Sequence, residues 1–219
     1  MQTPKDLSPT DRCFSRRNPA ILLVGPTGSG KTPLGDMLEK VGYDGTRCCH
    51  LDFGKCLRSI ADGGDGSDGF TAEDVAFVSE VLMKGVLLEN DRFYIAEKIL
   101  NNFIRQKKMQ ADEFVVLNGL PRHIEQANKV NSILEVRFLL YLRCNADVIF
   151  QRIRKNTGGD REGRTDDKEK NVQRRLELFE KRTLPLLEHY EVRGTPVNVI
   201  DVDVHTTPEQ VLNSLAFFS

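Results

Sequence analysis

The sequence predicts an α/β domain built on a five-stranded parallel sheet. Two observations carry this. Five short apolar runs recur along the chain with helical patterns between them, and the first run leads straight into a glycine-rich turn. Alternation of this kind is the signature of βαβ units. Runs that are apolar at every position, rather than at every second one, suit strands covered on both faces. A chain of 219 residues holds one such domain with room for small insertions, and it can bury a core without metal or disulfide staples.

Taken in order, residues 20–24 (AILLV) form the first strand, and a helix over 33–40 follows the glycine turn. Residues 47–51 are the second strand, less sharply marked because Cys48 and Cys49 suit a helix or a strand. A helix over 71–84 opens with Thr71 three residues before Asp74, an N-cap followed by an acidic first turn. A third helix covers 90–106, then FVVL at 114–117, VRFLLYL at 136–142 and VNVI at 197–200 complete the strands. Val172, Leu176 and Phe179 recur at helical spacing until Pro185 interrupts them. Two polar, glycine-rich stretches, 62–69 and 156–167, read as loops. The first is rich in Asp but lacks the order and terminal Glu of a calcium loop. Residues 1–18 read as a disordered tail with no signal peptide, ahead of a domain over 19–219.

Lys and Arg total 31 against 32 Asp and Glu, a net charge of −1, so nothing in the bulk charge calls for nucleic acid. No run is apolar and long enough to span a bilayer. The five cysteines make no CxxC pair and no metal-ligand spacing, which reads as reduced thiols in a cytoplasmic protein.

Gly25-Pro26-Thr27-Gly28-Ser29-Gly30-Lys31-Thr32 satisfies the P-loop pattern and stands where its chemistry requires, after a strand and before a helix. Its glycines let successive N–H groups face one anion, and the helix adds the positive end of its dipole. Lys31 reaches the outer phosphates and Thr32 places a hydroxyl near Mg²⁺. The motif predicts a nucleoside triphosphate site. Arginines at positions 58, 122, 152, 161, 164 and 175, several beside glycine- or proline-marked turns, suit the clamping of two polyanions brought together for phosphoryl transfer.

In these residues the chain resembles the adenylate kinase family. The order P-loop, CLR, NGLPRHIEQ, QRIRKN, GRTDD and RRLELFEKRTLPLLEHY is similar to the family's over about 20–217. The resemblance implies a five-stranded parallel P-loop kinase fold with an acceptor-binding insertion at 53–89. It also implies a short, zinc-free lid at 155–166, ATP and a nucleoside monophosphate as partners, Mg²⁺ as cofactor, and a monomer. Carried over, it places Lys31 and the whole loop 25–32 on the donor phosphates, with Arg152 on the donor's base side. Arg58 and Arg122 would hold the acceptor phosphate. Phe53, Gly54, Gly119 and residues 85–88, Leu88 among them, would shape the acceptor site, and Gln126 would read the base edge. Arg164 and Arg175 would bridge both substrates, completing a catalytic set of Lys31, Arg122, Arg164 and Arg175. Asp166 and Asp167 would anchor the lid, and Thr32 would hold Mg²⁺ with a weak contribution from Asn118.

The chain departs from the family at four places. Asn118 replaces the Asp of the DG[FY]PR motif, and Lys31 is followed by Thr-Pro rather than Gly-Thr. Phe53 and Lys55 stand where Thr and Asp are common, and Asn156 stands where a second lid arginine is expected. Three readings stay open: a kinase for AMP, a kinase for UMP, CMP or GMP, and a nucleotide-binding module that transfers poorly. In the third, Asn118→Asp would raise turnover by about an order of magnitude, since an amide supplies only a dipole to the cation.

Overall fold

In the computed structural model, residues 17–64, 69–159 and 169–215 are described. The chain opens with β1 (Pro19–Val24), whose six residues are all buried, and the glycine turn delivers it into α1 (Lys31–Val41). β2 (Cys48–Asp52) follows and passes into α2 (Phe53–Ala61) with no loop between them. Then come α3 (Ala72–Lys84), a single 3₁₀ turn over Asn90–Arg92, α4 (Phe93–Gln106) and β3 (Phe114–Asn118). The second half holds α5 (Ile124–Ile133), β4 (Glu135–Arg143), α6 (Ala146–Lys155) and α7 (Glu169–Leu178). A π-helical turn over Phe179–Thr183 leads to α8 (Leu186–Glu191), β5 (Val197–Asp201) and α9 (Pro208–Leu215).

The five strands are parallel and lie in the order β2-β3-β1-β4-β5. Alternate residues of β1 feed two cores. Ala20, Leu22 and Val24 join Leu51, Leu117 and the helices α2 to α5, while Ile21 and Leu23 join Leu34 and Leu38 of α1 and Val211 and Leu215 of α9. That two-sided burial is why the β1 sequence shows no polar alternation, whereas β5, also expected to be covered on both faces, has no buried residue.

All five expected strands are present, with no boundary moved by more than one residue. The shift matters at β2, which extends to Asp52. The helix expected over 90–106 opens as the separate 3₁₀ turn before Phe93. Thr71 caps α3 through a reciprocal pair with Asp74: Asp74 N–H donates to Thr71 Oγ1 at 3.2 Å, and Thr71 N–H to Asp74 Oδ2 at 3.0 Å. Helices α2, α5, α6 and α9 are short, and their patterns were not separable from the turns around them.

Asn18, assigned to the tail, is buried. Its side chain donates to the carbonyls of Gln110 and Glu113, and its own carbonyl accepts from Glu135 N–H. Of the rest of the tail expected to be disordered, Arg17 is exposed and residues 1–16 lie outside the described residues. So do 65–68 of the Asp-rich loop and 160–168, which include Arg161, Arg164, Asp166, Asp167 and most of the expected lid. Among the described residues no helix is long and apolar enough to cross a membrane. Cys48, Cys49, Cys56 and Cys144 are free thiols, and burial pushes Cys48 up to about 12 and Cys56 and Cys144 to about 11. Thiols held that high are poor nucleophiles.

Candidate active site

The site forms where the strands end. β1 stops at Val24, and the chain turns through Gly28 (φ 82°) and Gly30 (φ 99°), left-handed conformations in which a Cβ would be strained. Ser29 N–H closes the turn on Pro26 O at 3.3 Å. Lys31 begins α1, and its Nζ donates to the carbonyls of Gly25 and Pro26, each at 2.7 Å. Pro33 follows at the third helical position, where the missing N–H has no intrahelical partner to lose, so the unusual Thr-Pro pair leaves α1 intact.

A cleft of about 220 Å³ opens from this loop across the ends of β1, β2 and β3. It gathers Gly25, Thr27, Gly28, Gly30, Lys31 and Thr32 on one side with Phe53, Gly54, Arg58, Leu88, Gly119, Arg122 and Gln126 on the other, with Asn118 beside Thr32 and Arg175 near Arg122. Residues 85–88 complete its wall. Among the described residues, three that the sequence predicted lie off this surface. Pro26 and Ser29 form the back of the loop, and Arg152 is buried behind it. Arg152 Nε donates to Gly28 O at 3.1 Å and its Nη1 to the carbonyls of Asp203 and Thr206, so the side chain braces the phosphate loop against the segment before α9.

On the opposite wall, Arg122 leaves the turn after β3. Its Nε donates to Thr183 Oγ1 at 3.3 Å, and that hydroxyl donates to Arg122 O at 2.9 Å. Thr183 sits in the π-helical turn, a feature enriched at functional sites. Burial, and then the like charge of Arg175, push the Arg122 guanidinium down to about 10. It is still a cation at neutral pH, and an anion placed beside both guanidiniums relieves their repulsion. Arg58, on α2, folds back over Gly54: a Cβ there would lie 3.3 Å from Arg58 Nη1 and from Asp52 Oδ1. Gln126 is fully buried with both ends of its amide engaged. Its Oε1 accepts from Arg122 N–H at 2.7 Å, and its Nε2 donates to Leu88 O at 2.7 Å.

Phe53, expected to shape the acceptor site, lines the cleft, is 4% exposed and packs with Leu57 and Ile60 in the larger core. Asn156, at the position of the missing lid arginine, ends α6 in the left-handed conformation, φ 47° and ψ 43°, which Asn tolerates better than Arg.

Sequence reasoning missed Asp52 and Thr183. Asp52 stands opposite Asn118 in the β2–β3 register. Thr32 Oγ1 donates to Asp52 Oδ2 at 2.9 Å, and Asn118 Nδ2 lies 3.0 Å from Thr32 Oγ1 and 3.3 Å from Asp52 Oδ2. The acid was visible in LDFGKCLR, but nothing local says that β2 lies beside β3.

A phosphate loop facing an arginine-lined wall, across a sheet of order 2-3-1-4-5, is the geometry of a nucleotide phosphotransferase, and a sequence model of adenylate kinase matches residues 23–195. The chain belongs to the adenylate kinase family. As a member it is a nucleoside monophosphate kinase. It is similar to adenylate kinase from Haloarcula marismortui, with 28% identity over 90% of this chain and 95% of that protein. Adenylate kinase 1 from Drosophila melanogaster is 31% identical over 84% of this chain and 75% of its own length. UMP-CMP kinase 1 from Oryza sativa is 27% identical over 80% of this chain and 64% of its own length. Relatives with different acceptors leave the family as the common statement and make the acceptor a question for the site.

Proposed function

We propose that the chain moves the terminal phosphoryl group of ATP to AMP, giving two ADP. The observation that favours AMP is the pairing of Gln126 Nε2 with Leu88 O in the acceptor wall. Leu88 O already takes Gln126 Nε2 and His123 Nε2, and the amide keeps one further N–H, a donor that suits adenine's pairing edge with its N1 acceptor beside the 6-amino donor. Guanine and uracil present the reverse order. Cytosine presents the same order on a smaller ring, so CMP is the second reading.

In this reading the loop 25–32 cradles the donor phosphates and Lys31 neutralises the outer ones. Arg152 acts from behind by holding the loop. Arg58 and Arg122 take the acceptor phosphate, and Arg175, with Arg164 from the segment outside the described residues, spans both substrates. Segment 53–89 carries the acceptor side, and a short lid at 155–166 closes over the donor. A monophosphate oxygen is already anionic near neutral pH, so attack needs no general base. Catalysis is alignment, charge neutralisation and exclusion of water. The Thr32 hydroxyl, with a carboxylate and an amide within hydrogen-bond distance, fits Mg²⁺ carried in with ATP, since that cation keeps most of its waters and needs few protein ligands. Bound there, it would neutralise charge on the transferring group.

The deciding experiment incubates purified protein with ATP and Mg²⁺ and, separately, AMP, dAMP, CMP, UMP and GMP, with diphosphates resolved by chromatography. AMP leads in this reading, with CMP next. Preference for UMP or GMP would refute the edge argument. Lys31→Met is the control and abolishes transfer with the fold intact; a Lys31→Met protein of normal turnover would remove the donor site from this loop.

A further inference from the structure

Asn118 occupies the position where the family's motif has an aspartate, and an amide brings no charge to a divalent cation. The acid is present all the same, one strand away. β2 and β3 are adjacent and parallel, and Asp52 and Asn118 are register partners at their carboxyl ends. Asp52 points one carboxylate oxygen at the helix it starts, accepting from Lys55 N–H at 2.9 Å. The other, Oδ2, accepts the Thr32 hydroxyl at 2.9 Å inside the cleft. That is the relation a phosphate-loop hydroxyl needs with a metal-holding carboxylate: the proton goes to the acid, and of the oxygen's two lone pairs one takes the Asn118 amide N–H at 3.0 Å and the other is left for the cation.

Asn118 has become the positioning residue. Its Nδ2 lies 3.3 Å from Asp52 Oδ2 and 3.5 Å from His50 Nε2. His50 is buried, with Nδ1 2.9 Å from Asp36 Oδ1, and in the neutral tautomer that donates there, Nε2 is an acceptor for the amide. With Thr32 Oγ1 at 3.0 Å, the orientation of the Asn118 side chain is set by three acceptors, and its amide donor faces the carboxylate. An aspartate at 118 would turn that attraction into repulsion between like charges.

We propose that Asp52 holds the hydrated divalent cation of the nucleotide, the carboxylate having moved one strand across the sheet at constant register, with Asn118 orienting it. The inference rests on the kinase reading above for the presence of a metal–nucleotide substrate.

The test compares wild type, Asp52→Asn, Asn118→Asp and the double exchange. A fluorescent ATP analogue is titrated with Mg²⁺ and again in EDTA, so that the gain in affinity due to the cation is read without turnover. Asp52→Asn retains an oxygen for the Lys55 cap, and a melting curve verifies the fold. It should cut the cation-dependent gain by about tenfold or more while affinity in EDTA holds or rises, because an anion near the triphosphate has been removed. The double exchange should restore most of the gain. Asn118→Asp alone should bring no increase in turnover. An unchanged cation-dependent gain in Asp52→Asn would overturn the proposal. So would equal losses with and without Mg²⁺, which indicate a structural role, and so would a roughly tenfold rise in turnover for Asn118→Asp, the mark of a site lacking its acid. If Asp52→Asn does not fold, that last turnover measurement decides alone. Absence of diphosphate from every monophosphate would refute the kinase reading, while the binding ratio still reports on Asp52.

Discussion

Gly35 makes room for the ring of His50: a Cβ at Gly35 would stand 2.3 Å from His50 Nε2. The glycine lies inside α1, where alanine ordinarily stabilises a helix by about 1 kcal/mol. Here the collision outweighs that gain, because the ring is buried and held between Asp36 and Asn118. Gly35→Ala should lower stability by about 1–2 kcal/mol in urea unfolding, within the cost of overpacking a core. A stabilised variant would mean that the ring moves freely and does not orient Asn118.

In the proposed reading Arg122 belongs to the acceptor wall, so Arg122→Met should damage acceptor use more than donor binding. Loss of a charge-assisted contact predicts an acceptor KM raised about tenfold to a hundredfold, with the ATP KM changed far less. Steady-state kinetics with each substrate varied in turn separates the two. Equal increases would take Arg122 out of the acceptor site.

Gln126 joins the turn after β3 to the segment before α4, and in the proposed reading it also meets the base. Gln126→Ala should cost about 2 kcal/mol in unfolding, since it leaves the part-buried Arg122 N–H without its acceptor and removes a fully buried side chain. Its effect on kcat/KM should be larger for AMP than for UMP. A uniform loss across acceptors would reduce Gln126 to a structural link.

Stability should fall as the solution is acidified from about pH 7 to about pH 5. Burial lowers both His123 and His189, helped at His189 by the nearby Arg193, and each has one buried ring nitrogen without a hydrogen-bond partner. The unfolded chain therefore takes up protons first, below about 6.5, and the folded state loses ground as pH drops. Urea midpoints across this range should slope downward, and replacing both histidines by Gln should flatten the slope. An unaltered slope would assign the acid sensitivity to other groups.

The sequence by itself determined what is written locally. The apolar runs of β1, β2 and β3 specified buried strands because nearly every position in them faces a core, whereas β5 has no buried residue. The phosphate loop was readable because its glycines, lysine and threonine are consecutive and act through the backbone they share. Thr71 and Asp74 announced a helix start three residues apart. Tertiary structure alone decided how distant segments meet. Phe53 turned into the core, Arg152 behind the phosphate loop, and Gln126 into a bridge between Arg122 and Leu88. Asn118 read as a loss while only its own segment was in view. Sheet order put Asp52 beside it, and strand pairing, which depends on hydrogen bonds between residues 66 apart in the chain, leaves no mark in either segment.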